Sequence, residues 1–519
     1  MIQTLNDLLD DTAARKGRKT ALVFPGGAMT FSDLRAGVLR AASGFGARGI
    51  GKGDRVAVLL RNSPEFIIAY FGLSRLGAAA VPINFMVQKA DELAYMLADC
   101  SAKGAVTQEE FLRGLLEARK KLPGLKSVWA CDTEDPSQGV EDFHKFLAGA
   151  PAGAPPDASV SGDDVAAILY TSGTTGSSKG VMLTHSNFVS NCEASIAALH
   201  PAESDVCLTL LPLFHTFSWT SCALVSLRMG LKNILVPSIT PPAPWLKQMG
   251  RHRVTIFVAV PQIYAVLAKV ATGFKRLILR YWFFRGVRLA VSGAAPLSRG
   301  VFGSFREVLG VRILEGYGLT ETSPIVTVNP PGNRRWGSVG LPIKDVRLKI
   351  VMDDGSQAAA GEEGEVCVKG PNVMKGYLNR FEDTKAAFTA DGWLKTGDIG
   401  VLDEDGYLHL HDRKKDMIIV KGLKVFSAQV EAALLEHPGI EEAAVIGVPD
   451  ETGNETIKAF VVPRKDAAVD KAELLRHCRS KLDPYKRPRD IEIVESLPKN
   501  ALQKVLKRVL RQQELDKRK

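Results

Sequence analysis

Two apolar runs, RVAVLL (55–60) and AAAVPI (78–83), are continuous rather than alternating, and each is too short for a core helix. Runs of that kind suit strands covered on both faces. Between them, SPEFIIAYFGLSRLG (63–77) has a helical pattern that opens with Ser63 as N-cap and Pro64 at the first helical position. The order strand, helix, strand recurs at 165–200 and 254–290, so the main body is expected to be α/β. After about residue 330 the texture changes. VRLKIV, GEVCVKG and YLHLHD are strand-like and separated by glycine turns, which predicts an antiparallel β subdomain. Beyond DRKKD (412–416) a strand, the helix SAQVEAALLEH (427–437) and the strands AAVIGV and KAFVVP predict a small α+β domain. The charged, non-periodic segment 412–416 is a natural joint, giving domains 1–412 and 413–519. AGAPAGAPPDASVSGDD (148–164) is a connector, either a domain linker or a loop leading into the next strand.

At 519 residues, two or three domains are expected. A net charge of +10 favours anionic partners, among them nucleotide phosphates, coenzyme A and acidic membranes. The seven cysteines lie far apart with no CxxC pair, which argues against a zinc site or disulfide framework. MIQTLNDLLDDTAARKG has acidic residues where an export signal needs a basic segment and an apolar run, so a cytoplasmic location is expected. The most apolar long stretch, Leu208 to Leu227, contains Pro212 and His215 and reads as a buried element.

YTSGTTGSSKG (170–180) follows the apolar run VAAIL directly. Its three glycines and cluster of hydroxyls can surround phosphate oxygens, and Lys179 adds a positive charge. It is not a Walker A loop, which needs four residues between its first glycine and Gly-Lys-Ser/Thr.

The segment resembles the signature of the adenylate-forming (AMP-binding) superfamily, which includes acyl-CoA synthetases, peptide-synthetase adenylation domains and firefly luciferases. Four further motifs follow in order: EGYGLTE (315–321), TGD (396–398), DRKKDMIIVKGLKV (412–425) and LPKNALQKVLKR (497–508). The resemblance implies a large N-terminal domain and a small mobile C-terminal domain. It implies ATP-dependent conversion of a carboxylic acid to acyl-AMP, then transfer to coenzyme A, with Mg2+ as cofactor. In that scheme Thr171, Ser172, Gly173, Thr174, Thr175, Gly176 and Lys179 hold the pyrophosphate end. Tyr317, between Gly316 and Gly318, stacks on adenine, with Gly293, Ala294 and Ala295 on its other side. Thr320 bonds the α-phosphate and Glu321 holds Mg2+, while Asp398 and Arg413 serve the ribose. Lys504 is the catalytic lysine of adenylation. Lys415 marks the hinge, and Gly422 lines the pantetheine passage. Asn500, Gln503 and FSAQVE (426–431) depart from the common pattern, which has a hydroxyl residue and a glycine at the first two and a proline and a glutamate in the third.

LPLFHTFSW (211–219) matches the acyl-pocket region, with Phe214, His215 and Trp219 as candidates and Gly340 of GSVGLP on another side. No basic or acidic residue is evident there to pair with a second carboxylate or an amino group. Each buried CH2 contributes about 0.8 kcal/mol, so an apolar tunnel could bind a fatty chain by length alone, and the resemblance implies a fatty acid as substrate. The motifs are most similar to medium- and long-chain fatty acyl-CoA synthetases. Aryl or cinnamate-type acids, and a carrier protein in place of coenzyme A, stay open. KRLILRYWFFRGVRL (275–289) mixes basic and aromatic residues and fits either the inner face of a membrane or an ordinary helix. Nucleic acid is not expected as a partner; a homodimer is an open possibility.

Overall fold

The computed structural model describes residues 2–517 except 88, 134–138, 154–157, 172–177, 298, 421–422, 450–454, 466 and 500–503, and the side chain of residue 299. By packing, the chain divides into two compact units. The first comprises Met1–Arg334, Gly340–Arg347 and Val368–Leu394; the second comprises Arg335–Val339, Leu348–Cys367 and Lys395–Lys519. The antiparallel sheet therefore packs with the C-terminal part of the chain.

The first unit is α/β and holds an eight-stranded and a nine-stranded sheet. In the eight-stranded sheet, Val165–Thr171, Ala79–Pro82, Arg55–Leu59, Gly104–Thr107, Ser127–Ala130 and Val140–Asp142 are parallel neighbours in that order. The runs at 55–60 and 78–83 are thus buried parallel strands. The helix Pro64–Arg75 connects them; the Ser63 hydroxyl accepts the Phe66 N–H, and Phe66 to Ser74 are buried without a break. Strands Val140–Asp142 and Val165–Thr171 share this sheet, so the connector at 148–164 links two strands of one unit and is not a domain linker.

One local order differs from the sequence reading. The segment 165–200 is strand, strand, helix: Lys179–Thr184 pairs antiparallel with Val165–Thr171 before the helix His185–Leu199 begins. The glycine–hydroxyl loop therefore joins the two arms of a hairpin. The run KGVMLT is short and begins in a glycine-rich stretch, so periodicity cannot separate it from the loop. The helix has its own start signal, a capping box between Thr184 and Asn187.

In the nine-stranded sheet the parallel core includes Val206–Thr209, Ile256–Ala259, Leu289–Ser292 and Ile313–Gly318. Ile325–Val328 and Leu341–Pro342 then add antiparallel at one edge. Leu208 to Leu227 is a strand followed by short helical turns, largely buried. Among the described residues, no helix is long and apolar enough to cross a membrane.

The second unit contains a four-stranded sheet in the order Arg347–Val351, Glu363–Lys369, Leu394–Leu402, Leu408–Arg413. It also contains a three-stranded sheet of Ile440–Pro449, Glu455–Pro463 and Asp490–Ile493, the last joining in parallel. The helix Ser427–Leu435 packs on that sheet through Val430 and Leu434. Ser427 stands where the family pattern has proline, and its hydroxyl donates to Asp412 at 2.7 Å. The same Asp412 carboxylate accepts the Ala428 N–H at 3.3 Å, so a side chain fifteen residues upstream caps the helix.

Candidate active site

The hairpin fixes the ends of the glycine–hydroxyl segment: Thr171 and Lys179 are register partners across it. Ser172, Gly173, Thr174, Thr175 and Gly176 lie outside the described residues. The Lys179 ammonium is mostly covered and pairs with Asp383 at 2.9 Å. It also sits 5.4 Å from the Tyr377 ring centre, a distance at which a cation is attracted to an aromatic face. Tyr377 belongs to the short strand Gly376–Tyr377, which adds to the hairpin opposite Val181 and Met182.

Tyr317 ends the strand Ile313–Gly318, and Thr320 and Glu321 occupy the single 3-10 turn Thr320–Thr322 that follows. Gly318 has to be glycine, since a Cβ there would lie 1.9 Å from the Pro324 carbonyl oxygen. That close approach folds the turn back on itself. Buried amides brace it from below: Asn372 Nδ2 donates to the Thr322 carbonyl at 2.9 Å, and Asn191 Nδ2 to the Ile325 carbonyl at 2.7 Å. The Glu321 carboxylate accepts the Tyr377 hydroxyl at 3.0 Å. Among the described residues, no group of three or more His, Cys, Asp or Glu gathers to hold a metal ion. Glu321 would be a lone protein carboxylate, which suits Mg2+, a cation that completes its shell from phosphate and water oxygens.

Gly293, Ala294 and Ala295 form the bend after Leu289–Ser292, with Ala294 at φ +69°, a conformation that L residues rarely adopt. Glu315 ties the far side of this bend, its carboxylate accepting the Leu297 N–H at 3.2 Å. Burial raises the Glu315 carboxyl to about 7.

In the second unit, Asp398 and Arg413 face one another across the antiparallel pair, 3.1 Å apart, with Asp398 almost fully buried. Lys415 and Lys504 share their neighbourhood. Burial, reinforced by Arg413 and Lys415 against Asp398 and Asp416, pulls the Lys504 pKa down to about 8. Burial, then Arg413, likewise holds Lys415 below an ordinary lysine. Arg511 binds Asp416 at 2.9 Å and so partly neutralises one of the two carboxylates that act on Lys504. Gly422, Asn500 and Gln503 lie outside the described residues.

A family model described as AMP-binding enzyme matches residues 9–378, and one described as AMP-binding enzyme C-terminal domain matches residues 429–504. The chain belongs to the AMP-binding enzyme family. The long-chain-fatty-acid–CoA ligase of Bacillus subtilis strain 168 is 35% identical to this AMP-binding enzyme over 99% of this chain and 95% of its own. The 4-coumarate–CoA ligase 2 of Oryza sativa subsp. japonica is 34% identical over 93% of this chain and 87% of its own. Among solved structures, ATP-bound MatB from Rhodopseudomonas palustris superposes with a TM-score of 0.90 at 33% identity, covering all of both chains.

The residues expected around an acyl group lie in the first unit of this AMP-binding enzyme. Phe214 meets Phe85 edge-on with ring centres 5.3 Å apart. His215 caps the turn Thr216–Ser218, its Nδ1 accepting the Phe217 N–H. Trp219 is packed among Phe66, Tyr70 and Phe71 of the helix Pro64–Arg75, 4.1 Å from Tyr70 between ring centres. Gly340 contributes a close backbone approach, since a Cβ would fall 2.1 Å from the Val328 carbonyl carbon. None of these four residues lines the small apolar cleft formed by residues including Leu199, Ser221, Val225, Val258 and Val291.

Tyr377, Asp383, Asn191 and Asn372 were not singled out by sequence reasoning. Gly376–Tyr377 is a two-residue strand, too short for a period to register. The asparagines sit in mixed polar segments, and only the fold shows that they are buried.

Proposed function

We propose that the chain activates a long-chain fatty acid with ATP, giving acyl-AMP and pyrophosphate, and passes the acyl group to coenzyme A. The observation that carries this is the pairing of a phosphate hairpin with the Glu321 turn in one unit and a buried lysine beside Asp398 and Arg413 in the other. A carboxylate is a poor electrophile, so its oxygen must first acquire a leaving group. Alignment and charge stabilisation then do most of the catalysis. Thr171, Lys179 and the loop between them hold the departing pyrophosphate. Tyr317 stacks on adenine beside the bend at Gly293, Ala294 and Ala295, Thr320 bonds the α-phosphate, and Asp398 and Arg413 hold the ribose. Mg2+, held by Glu321, neutralises phosphate charge when bound. Lys504 steadies the five-coordinate phosphorus. Rotation about Lys415, at the joint between 1–412 and 413–519, withdraws Lys504 before the thiol arrives past Gly422.

The likeness to long-chain-fatty-acid–CoA ligases over nearly the whole chain supports an alkyl chain over an aryl acid. Phe214, His215, Trp219 and Gly340 surround the acyl group in this reading. The segment from Pro261 to Leu289 supports a source for that acid. It has no acidic residue and six basic ones, and Phe274, Tyr281 and Trp282 are 75%, 61% and 59% exposed. Aromatic and basic groups together favour an anionic bilayer surface, and peripheral contact at the inner membrane face follows. A homodimer would instead cover the same patch with a second copy. One screen tests these points: acyl-CoA formation from acetate to stearate, with benzoate and cinnamate, each acid free and in anionic vesicles. Long-chain preference, and co-flotation with anionic but not neutral vesicles, is expected. Best activity on cinnamate would overturn the fatty-acid reading, and absence of flotation the membrane reading.

A further inference from the structure

Tyr377 touches both groups that the proposed chemistry directs at the phosphate end of ATP. Its hydroxyl donates to Glu321 at 3.0 Å, and its ring lies 5.4 Å from the Lys179 ammonium. The residue is fixed from three sides. Its N–H donates to Thr384 Oγ1 at 2.9 Å, and that hydroxyl donates to the Arg380 carbonyl at 2.8 Å. The flanking Lys375 and Leu378 N–H groups donate to the Met182 and Gly180 carbonyls of the phosphate hairpin at 3.0 and 2.8 Å. On the other side, the Met374 N–H donates to the Glu321 carbonyl at 2.8 Å. One short strand thus spans the hairpin and the Glu321 turn.

Taking Glu321 as the metal carboxylate and Lys179 as the phosphate lysine, as proposed above, we infer that Tyr377 is a positioning residue that sets both, and that Asp383 is a placeholder for the triphosphate on Lys179. A carboxylate has two oxygens. The phenol holds Glu321 Oε1, which orients Oε2 as the oxygen free to meet a cation. Asp383 is itself 38% exposed and anionic, while Lys179 is 14% exposed. A lysine so covered needs a counter-ion when no phosphate is present, and an arriving triphosphate displaces Asp383 from it.

Two variants separate these roles. Tyr377→Phe keeps the ring beside Lys179 and removes only the hydroxyl. Asp383→Asn keeps shape and removes the charge. Binding of a fluorescent ATP analogue is measured at equilibrium over a range of free Mg2+, with KM for the acid alongside. Tyr377→Phe is expected to raise the half-saturating Mg2+ about tenfold while leaving KM for the acid and binding at saturating Mg2+ unchanged. Asp383→Asn is expected to tighten nucleotide binding about two- to fivefold without moving the Mg2+ midpoint. An unchanged Mg2+ midpoint in Tyr377→Phe, or a uniform loss that includes KM for the acid, overturns the positioning role. Weaker nucleotide binding in Asp383→Asn overturns the placeholder. Failure of the unsubstituted protein to bind nucleotide at any Mg2+ concentration would instead sink the parent proposal.

Discussion

Lys179 and Lys504 are both covered lysines assigned to the same nucleotide, yet their surroundings differ. Lys179 rests on a carboxylate, Asp383, at 2.9 Å, with an aromatic face beside it. Lys504 is buried with Arg413 and Lys415 as well as Asp398 and Asp416 around it, and burial, then Arg413, loosens its proton until the pKa reaches about 8. A lysine with a counter-ion can wait for its ligand at little cost. A lysine desolvated deeply enough to loosen its proton gains more from an arriving anion, because the anion replaces solvation the fold has removed. The first suits steady binding, and the second suits a group needed only while charge develops on phosphorus.

That contrast predicts effects of different size and kind. The largest is Lys504→Ala, which is expected to slow acyl-AMP formation by about 10²–10³ and to spare thioester formation from supplied acyl-AMP. Single-turnover assays of the two half-reactions would read this, and equal loss in both would erase the distinction. Lys179→Ala is expected to act on binding, raising the KM for ATP about ten- to hundredfold, the scale of a lost charge-assisted hydrogen bond. Its kcat at saturating ATP should hold better than that of Lys504→Ala. A pure kcat defect in Lys179→Ala would show that the two lysines do the same work.

The sequence made much of this architecture readable where a single signal was strong. Ser63-Pro64 announced the helix Pro64–Arg75, and the continuous runs at 55–60 and 78–83 announced parallel strands. GEVCVKG and YLHLHD were legible as strands because their turns carry glycine. The hairpin at 165–184 was not, because Lys179–Thr184 opens with lysine and glycine straight out of the glycine–hydroxyl run and reads as its continuation. At the site, the charged and hydroxyl residues that name a chemistry stood out: Lys179, Glu321, Asp398, Lys504. The residues that hold them did not. Tyr377 reaches Glu321 from 56 positions away in the chain, and no local pattern encodes such a contact. Ser427 was visible only as a missing proline, whereas the fold shows its hydroxyl tied to Asp412.

The pH dependence of acid-driven pyrophosphate exchange into ATP bears most directly on the buried lysine. With Mg2+ and a long-chain acid present, kcat/KM for exchange should be high while Lys504 is charged. It should fall as the pH rises through about 8, since the neutral amine cannot steady the phosphorus. Lys504→Ala should show a low, flat profile across the same range. No exchange at any pH with any acid, or a Lys504→Ala profile that keeps both the height and the fall near 8, would contradict the account.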